Sequence, residues 1–159
     1  MLELDTEKRM SAFLIINQSG FPKKMKHYSN GLQIKKQYQD DNGNKVTQVK
    51  NGEEVWVELS IQSDEDIDDL VIVDLIPGGF DLVWKNDSAD GISLDTKYID
   101  QREDRVVIYA RSKTSVEKFK YKIKAISPGK FQTPPSYGEN MYKTIESTLS
   151  KTDEIEIIQ

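Results

Sequence analysis

Few residues in this chain have both the type and the spacing that chemistry requires. There is one histidine, His27, and no cysteine. His27 sits in a polar stretch with no serine or carboxylate pattern beside it, so it reads as a surface imidazole rather than a general base. The patterns His-Glu-x-x-His, Gly-x-x-x-x-Gly-Lys and Gly-x-Ser-x-Gly, which would announce a metalloprotease, a phosphate cradle or a nucleophile elbow, are all missing. The sequence therefore does not describe an enzyme, and it implies no cofactor.

Two acidic stretches invite a calcium reading. Asp40, Asn42 and Asn44 alternate oxygen donors as the start of an EF-hand loop does. Lys45 occupies the sixth position, however, and no glutamate closes the loop at the twelfth. A hairpin turn accounts for these residues. Asp64-Glu65-Asp66 with Asp68-Asp69 is denser, but a charge run between strands is ordinarily solvated, and no metal site is assigned there. Lys118, Lys120, Lys122 and Lys124 fall on one side of an extended segment about 7 Å apart, twice the strand rise. Such a row could meet an acidic protein or anionic headgroups. It reads more simply as the solvent face of a strand whose charges discourage edge-to-edge pairing.

The segment Pro134-Pro-Ser-Tyr-Gly-Glu-Asn-Met-Tyr142 is the best candidate for a contact site. Two prolines fix an extended backbone without N–H donors, so the segment is expected at a surface or sheet edge rather than in a central strand. It presents Tyr137, Met141 and Tyr142 close together. These side chains either fold back as a lid over the core or form an apolar contact for a partner, since tyrosine and methionine suit surfaces that dock.

The elements that would position these residues are strands. Phe119, Tyr121, Ile123 and Ala125 share one face of Glu117–Ala125 and the lysines share the other, a period of two. Val55, Val57, Leu59 and Ile61 alternate in the same way with Trp56, Glu58, Ser60 and Gln62. Leu70–Leu75 is almost wholly apolar and β-branched, as suits a strand covered on both faces. Further strands are expected at Phe13–Asn17, Leu32–Gln39, Asp104–Ala110, Lys130–Thr133 and Glu154–Ile158. Turn signals separate them at Asp41-Asn42-Gly43-Asn44, Asn51-Gly52 and Pro77-Gly78-Gly79. Seven to nine short strands with frequent turns predict an all-β, two-sheet antiparallel sandwich of the immunoglobulin or fibronectin kind. At most short helices are expected, within Met1–Met10 or around Tyr142–Leu149. The loop from Lys85 to Lys97 is polar and long.

Length and composition bound the rest. The 159 residues fit one domain, with 36% hydrophobic and 31% charged residues. We take residues 1–11 as a connector or remnant and residues 12–159 as the domain. No run reaches the roughly 18 apolar residues of a membrane span. A net charge of −5 argues against general nucleic-acid binding, which needs a cationic surface.

One resemblance covers roughly Phe13 to Ile158. It is carried by Asn17-Gln-Ser-Gly-Phe21, Gly31-Leu-Gln-Ile34, Val73-Asp-Leu-Ile-Pro-Gly-Gly-Phe80, Arg102-Glu-Asp-Arg105, the Tyr121 to Phe131 strand pair, and Pro134-Pro135 with Glu139-Asn-Met-Tyr142. In that order they resemble the C-terminal macroglobulin-like domain of the bacterial alpha-2-macroglobulins, exported periplasmic proteins that trap proteases. The resemblance implies a non-catalytic domain that packs on the thioester domain of the same polypeptide. Met141 and Tyr142, with Tyr137 nearby, would then contact and shield the thioester. It also implies that proteases are met through the full-length protein, in the periplasm, on a parent with or without a lipid anchor. The thioester itself cannot lie here, because the chain has no cysteine. The rival reading is a free-standing β-sandwich binding or adhesion module that recognises a protein or glycan, since the fold alone supports many functions.

Overall fold

Alternating side chains bury one face of each strand, and the chain solves this by stacking sheets. The computed structural model describes Ile15 and residues 25–83 and 92–159. A six-stranded antiparallel sheet has the order β1 (Tyr28–Asn30), β12 (Ser147–Leu149), β11 (Ser136–Asn140), β5 (Ile67–Leu75), β8 (Arg105–Ser112) and β7 (Asp95–Gln101). Facing it is a four-stranded antiparallel sheet of β2 (Leu32–Gln39), β4 (Glu54–Ser63), β9 (Glu117–Ala125) and β6 (Phe80–Val83). The expected sandwich is thus present. The sequence did not reveal a third, three-stranded sheet of β10 (Gly129–Thr133), β13 (Asp153–Ile158) and β3 (Gln48–Lys50), in which β13 and β3 run parallel.

The core lies between the two larger sheets. Val57, Leu59, Ile61, Phe119, Tyr121 and Ile123 of the four-stranded sheet oppose Leu70, Ile72, Val106 and Ile108 of the six-stranded one, all buried. Each such side chain contributes roughly 1.5–3 kcal/mol by leaving water. The third sheet adds Val49, Ile155 and Ile157 to the same core. Two glycines let backbones come closer than any other residue would. Gly79 has φ +80°, and the ring of Phe131 fills the space a Cβ would need. A Cβ on Gly138 of β11 would stand 2.6 Å from Ile34 Cδ1 of the opposite sheet.

Several expectations are corrected. Among the described residues there is no helix; Tyr142–Leu149 forms a turn that leads into β12. The Pro-Pro segment does not end at an edge: β11 is interior, paired with β5 on one side and β12 on the other. The prolines do not prevent this because they precede the first paired residue, Ser136, whose N–H donates to Ser150 Oγ at 2.8 Å. The polar stretch after Lys85 gives way to strand β7 at Asp95. The helix proposed for Met1–Met10, the whole of the proposed connector and, apart from Ile15, the strand proposed for Phe13–Asn17 lie outside the described residues.

One polar cluster crosses the core. Asp74 of β5 is fully buried and stands opposite Ser136 of β11. Its carboxylate accepts from Ser136 Oγ at 2.8 Å, from Tyr121 OH of β9 at 2.7 Å and from Lys36 Nζ of β2 at 2.7 Å. Lys36 Nζ also donates to the carbonyl of Leu75 at 3.0 Å, and only 3% of its side chain is exposed. A buried charge is tolerated when it is paired and its remaining lone pairs are filled, as here. Burial, with the charge of Asp74 and its hydrogen bond, pushes the Tyr121 phenol well above its ordinary value, so it stays a donor. Burial and the same carboxylate push Tyr38 up as well. Lys36→Met, which strips Asp74 of its counter-charge, is expected to lower the unfolding free energy by about 3–5 kcal/mol in a urea titration. Adding Asp74→Leu is expected to restore part of that loss. A single variant costing less than about 1 kcal/mol would mean that the pair is not desolvated.

Candidate functional site

The most distinctive exposed feature is the turn between β11 and β12. Asn140, the last residue of β11, is buried and acts as its clasp. Its Oδ1 accepts from the N–H of Tyr142 at 3.0 Å and of Lys143 at 3.3 Å, while its Nδ2 donates to Glu146 Oε2 at 2.7 Å. Asparagine favours such turns because its short amide can satisfy backbone two and three residues on. The backbone closes the loop: Asn140 N–H donates to Glu146 O at 2.9 Å, Glu146 N–H to Lys143 O at 2.8 Å, and Met141 N–H to Asp69 O of β5 at 2.9 Å. Asn30 Nδ2 of β1 donates to Ile145 O at 2.7 Å. Lys143 Nζ lies 3.2 Å from Glu146 Oε1 and 3.6 Å from Glu65 Oε2.

The Asn140 amide and the Glu146 carboxylate are turned inward, while Met141, Tyr142 and Ile145 face outward beside the exposed Lys143 and Thr144. Tyr142 is 83% exposed, Ile145 72% and Met141 48%. The arrangement offers no nucleophile, base or ligand set; it can bury apolar surface against another body, at a low ordering cost because the turn is already fixed. Sequence reasoning placed Met141 and Tyr142 here but missed Ile145, whose neighbourhood it read as a helix.

Tyr137 is not part of the turn. It lies on β11, four residues and so roughly 13 Å before Met141, half-buried on the outer face of the sheet, with its OH donating to Glu139 Oε2 at 2.5 Å. That hydrogen bond, aided by partial burial and the charge of Glu139, pushes the Tyr137 phenol up to about 12.

The other candidates resolve into structure. Asp40 Oδ1 accepts from the N–H groups of Asn42 at 2.9 Å and Asn44 at 2.8 Å, and Oδ2 from Asn44 Nδ2 at 3.1 Å. These bonds, that from the Asn44 side chain foremost, lower the Asp40 carboxyl below its ordinary value and build the expected turn. Among the described residues, no group of three or more His, Cys, Asp or Glu could hold a metal ion. The lysine row is less open than expected. Glu58, assigned to the solvent face, is buried, with Lys118 Nζ at 3.2 Å and Lys120 Nζ at 2.9 Å from its oxygens. Burial works against the charge of Glu58, but the hydrogen bonds and charges of Lys120 and Lys118 outweigh it and hold the carboxyl below its ordinary value. Lys122 Nζ lies 3.0 Å from Asp41 Oδ1 and 4.7 Å from the centroid of the Trp56 ring, so two of the four ammonium groups are largely covered by their own sheet. His27 is exposed beside an open groove of about 540 Å³.

Fold and site together define a β-sandwich domain that carries a braced, exposed apolar turn. Residues 31–144 match the family model described as the bacterial alpha-2-macroglobulin MG10 domain. An alpha-2-macroglobulin homolog of Yersinia pestis is 38% identical over 169 residues, covering 87% of this chain and 8% of that protein. The alpha-2-macroglobulin of Pasteurella multocida is 33% identical over 136 residues, covering 82% of the chain and 7% of that protein. In structure the chain is similar to Salmonella alpha-2-macroglobulin reacted with methylamine, with a TM-score of 0.79 at 24% identity over 88% of the chain and 10% of that protein. A native Escherichia coli alpha-2-macroglobulin fragment spanning domain MG7 to the C-terminus gives 0.79 at 22% identity, covering 88% of the chain and 25% of the fragment. The chain belongs to the bacterial alpha-2-macroglobulin family, as an MG10-type domain, and spans less than a tenth of the curated relatives named here.

An absorbance titration of phenolate tests the Tyr137–Glu139 contact. A raised folded value means that the contact stabilises below pH 10, where the unfolded phenol is also protonated, and that this contribution is lost as pH rises from 10 through about 12. Tyr137→Phe is expected to remove the step near 12 and leave the ordinary tyrosine step in place. A wild-type titration with no component above the ordinary step, in protein still folded by circular dichroism, would contradict the contact.

Proposed function

We propose that this chain is the C-terminal, non-catalytic domain of a bacterial alpha-2-macroglobulin. In this reading it packs on the thioester domain of its own polypeptide and shields the thioester until a protease springs the trap. The supporting observation is the braced turn: Tyr142 is 83% exposed and Met141 48%, yet their backbone is fixed by Asn140. An apolar residue held rigidly in solvent has no use inside the domain and suits a surface that must exclude water elsewhere. Tyr137 contributes as part of the adjoining sheet face.

In the full-length protein a protease would cut an exposed bait segment, the domains would rearrange, and the unmasked thioester would capture the attacker. The parent would act in the periplasm on environmental or host proteases. The domain itself supplies packing, not chemistry, since no cysteine is present to form the thioester. The affinity of such a lid must be modest, because it has to release; one or two side chains at roughly 1.5–3 kcal/mol each suit that need.

Tyr142→Ala in the full-length parent is expected to shift the closed-to-open balance and raise methylamine incorporation into the resting thioester by roughly ten- to a hundredfold. Asn140→Ala, which frees the turn without removing the ring, is expected to give a smaller rise in the same assay. Wild-type rates in a folded Tyr142→Ala protein would count against the shielding role and favour a sandwich used to bind another protein or a glycan.

A further inference from the structure

The outer face of the six-stranded sheet carries a pattern that a solvent-facing sheet does not need. Antiparallel sheets open to water on one side are ordinarily polar on that side. Here the registers place Tyr28 of β1 beside Leu149 of β12, Leu149 beside Tyr137 of β11, Tyr137 beside Val73 of β5, and Val73 beside Val107 of β8. Neighbouring strands lie about 4.8 Å apart, so this row runs roughly 19 Å across five strands without a charge. In the next row Tyr109 of β8 stands opposite Tyr98 of β7, with ring centroids 6.0 Å apart. Tyr98 is 63% exposed and Tyr28 45%. Single apolar residues on a surface need no explanation, but a contiguous band does.

The charges around the band point to the nature of what covers it. Lys97 pairs with Asp69 at 2.8 Å, Arg111 with Asp95 at 3.1 Å and Arg102 with Asp100 at 2.9 Å. Each of these cations is neutralised from within the domain, and Tyr137 OH occupies Glu139. The cations of the rim are thus paired within the domain and the centre offers apolar area, which fits a largely apolar partner surface. The chain spans 8% of its Yersinia pestis relative, so most of a parent of that length lies outside it. The polypeptide enters the described fold at β1, whose Tyr28 begins the apolar row.

We infer that the Tyr28–Val107 band, with Tyr98 and Tyr109, is a permanent docking face for a preceding domain of the same polypeptide, through an apolar patch on that domain. The inference rests on reading the chain as one part of a longer macroglobulin. It concerns a surface distinct from the Met141–Tyr142 turn and assigns Tyr137 to that surface in place of the shielding contact: the turn must release, whereas the band stays covered before and after protease cleavage.

Hydroxyl-radical footprinting of the full-length parent, with tyrosine oxidation read by mass spectrometry, tests this directly. Tyr98 and Tyr28 are expected to be oxidised about ten-fold more slowly than in the denatured protein, as befits rings in an interface core rather than rings 63% and 45% exposed. Their protection is expected to persist after cleavage. Val107→Lys, at the end of the row next to the Tyr98–Tyr109 pair, is expected to restore the oxidation of Tyr98 without unfolding the protein. Rapid oxidation of both tyrosines in native wild-type parent overturns the inference, and so does protection that fades on dilution, which would assign the face to a second copy. Tyr142 is read in the same spectra: protection of Tyr142 with free Tyr98 overturns the docking face alone, and the reverse overturns the shielding turn alone.

Discussion

The fold depends on one buried carboxylate. Asp74 sits between the two main sheets and takes donors from both, Ser136 from its own sheet and Lys36 and Tyr121 from the opposite one. Hydrophobic burial would hold the sheets together in several nearly equivalent ways, because apolar contacts are not directional. A charge that must find its donors permits far fewer arrangements. With Asp74 engaged, β5 cannot slip along β11 without leaving an uncompensated charge in the core, a penalty of several kcal/mol. Whether that specificity outweighs what a well-packed apolar substitute would give is the question the paired Lys36 and Asp74 variants address.

The consequence reaches the surface along β11. Ser136 begins that strand at the buried carboxylate, Gly138 lets it pass close to Ile34 and Leu32 of the facing sheet, and Asn140 ends it as the clasp of the exposed turn. Five residues thus connect a fully buried carboxylate to an aromatic ring that is 83% exposed. Alternation sends Tyr137 and Glu139 to the outer face and Ser136, Gly138 and Asn140 inward. The turn is held at its base by a strand fixed on both sides and at its tip by Asn30 and Asp69. A rigid support of this kind keeps a few apolar side chains exposed instead of letting them collapse onto their own domain.

Much of this was legible in the sequence where alternation was long. The Glu117–Ala125 and Leu32–Gln39 strands were read with the boundaries found, since eight or nine residues of period two leave little freedom. Strands of three or four residues, such as β1, β3, β6 and β12, escaped because so short a run has no period of its own and is defined by its neighbours. The status of β11 was misjudged because the prolines were weighed as part of the strand rather than as its entrance. Glu58 was assigned to solvent by its place in the alternation, which is correct for the face but blind to the lysines of β9 that fold over it. Met141 and Tyr142 were singled out in the sequence and are exposed in the structure, while the role of Asn140 in holding their backbone depends on contacts with Glu146 that no local pattern announces.

In the proposed function, the Asn140–Glu146 turn covers the thioester in the resting parent and leaves it on activation. The most direct measurement is to place a photo-crosslinking amino acid at position 142 of the full-length protein and identify its attachment site by mass spectrometry, before and after protease cleavage. Attachment to peptides around the thioester is expected in the resting protein, and its loss after cleavage. Attachment elsewhere in the resting protein, or the same thioester-region attachment before and after cleavage, would contradict it.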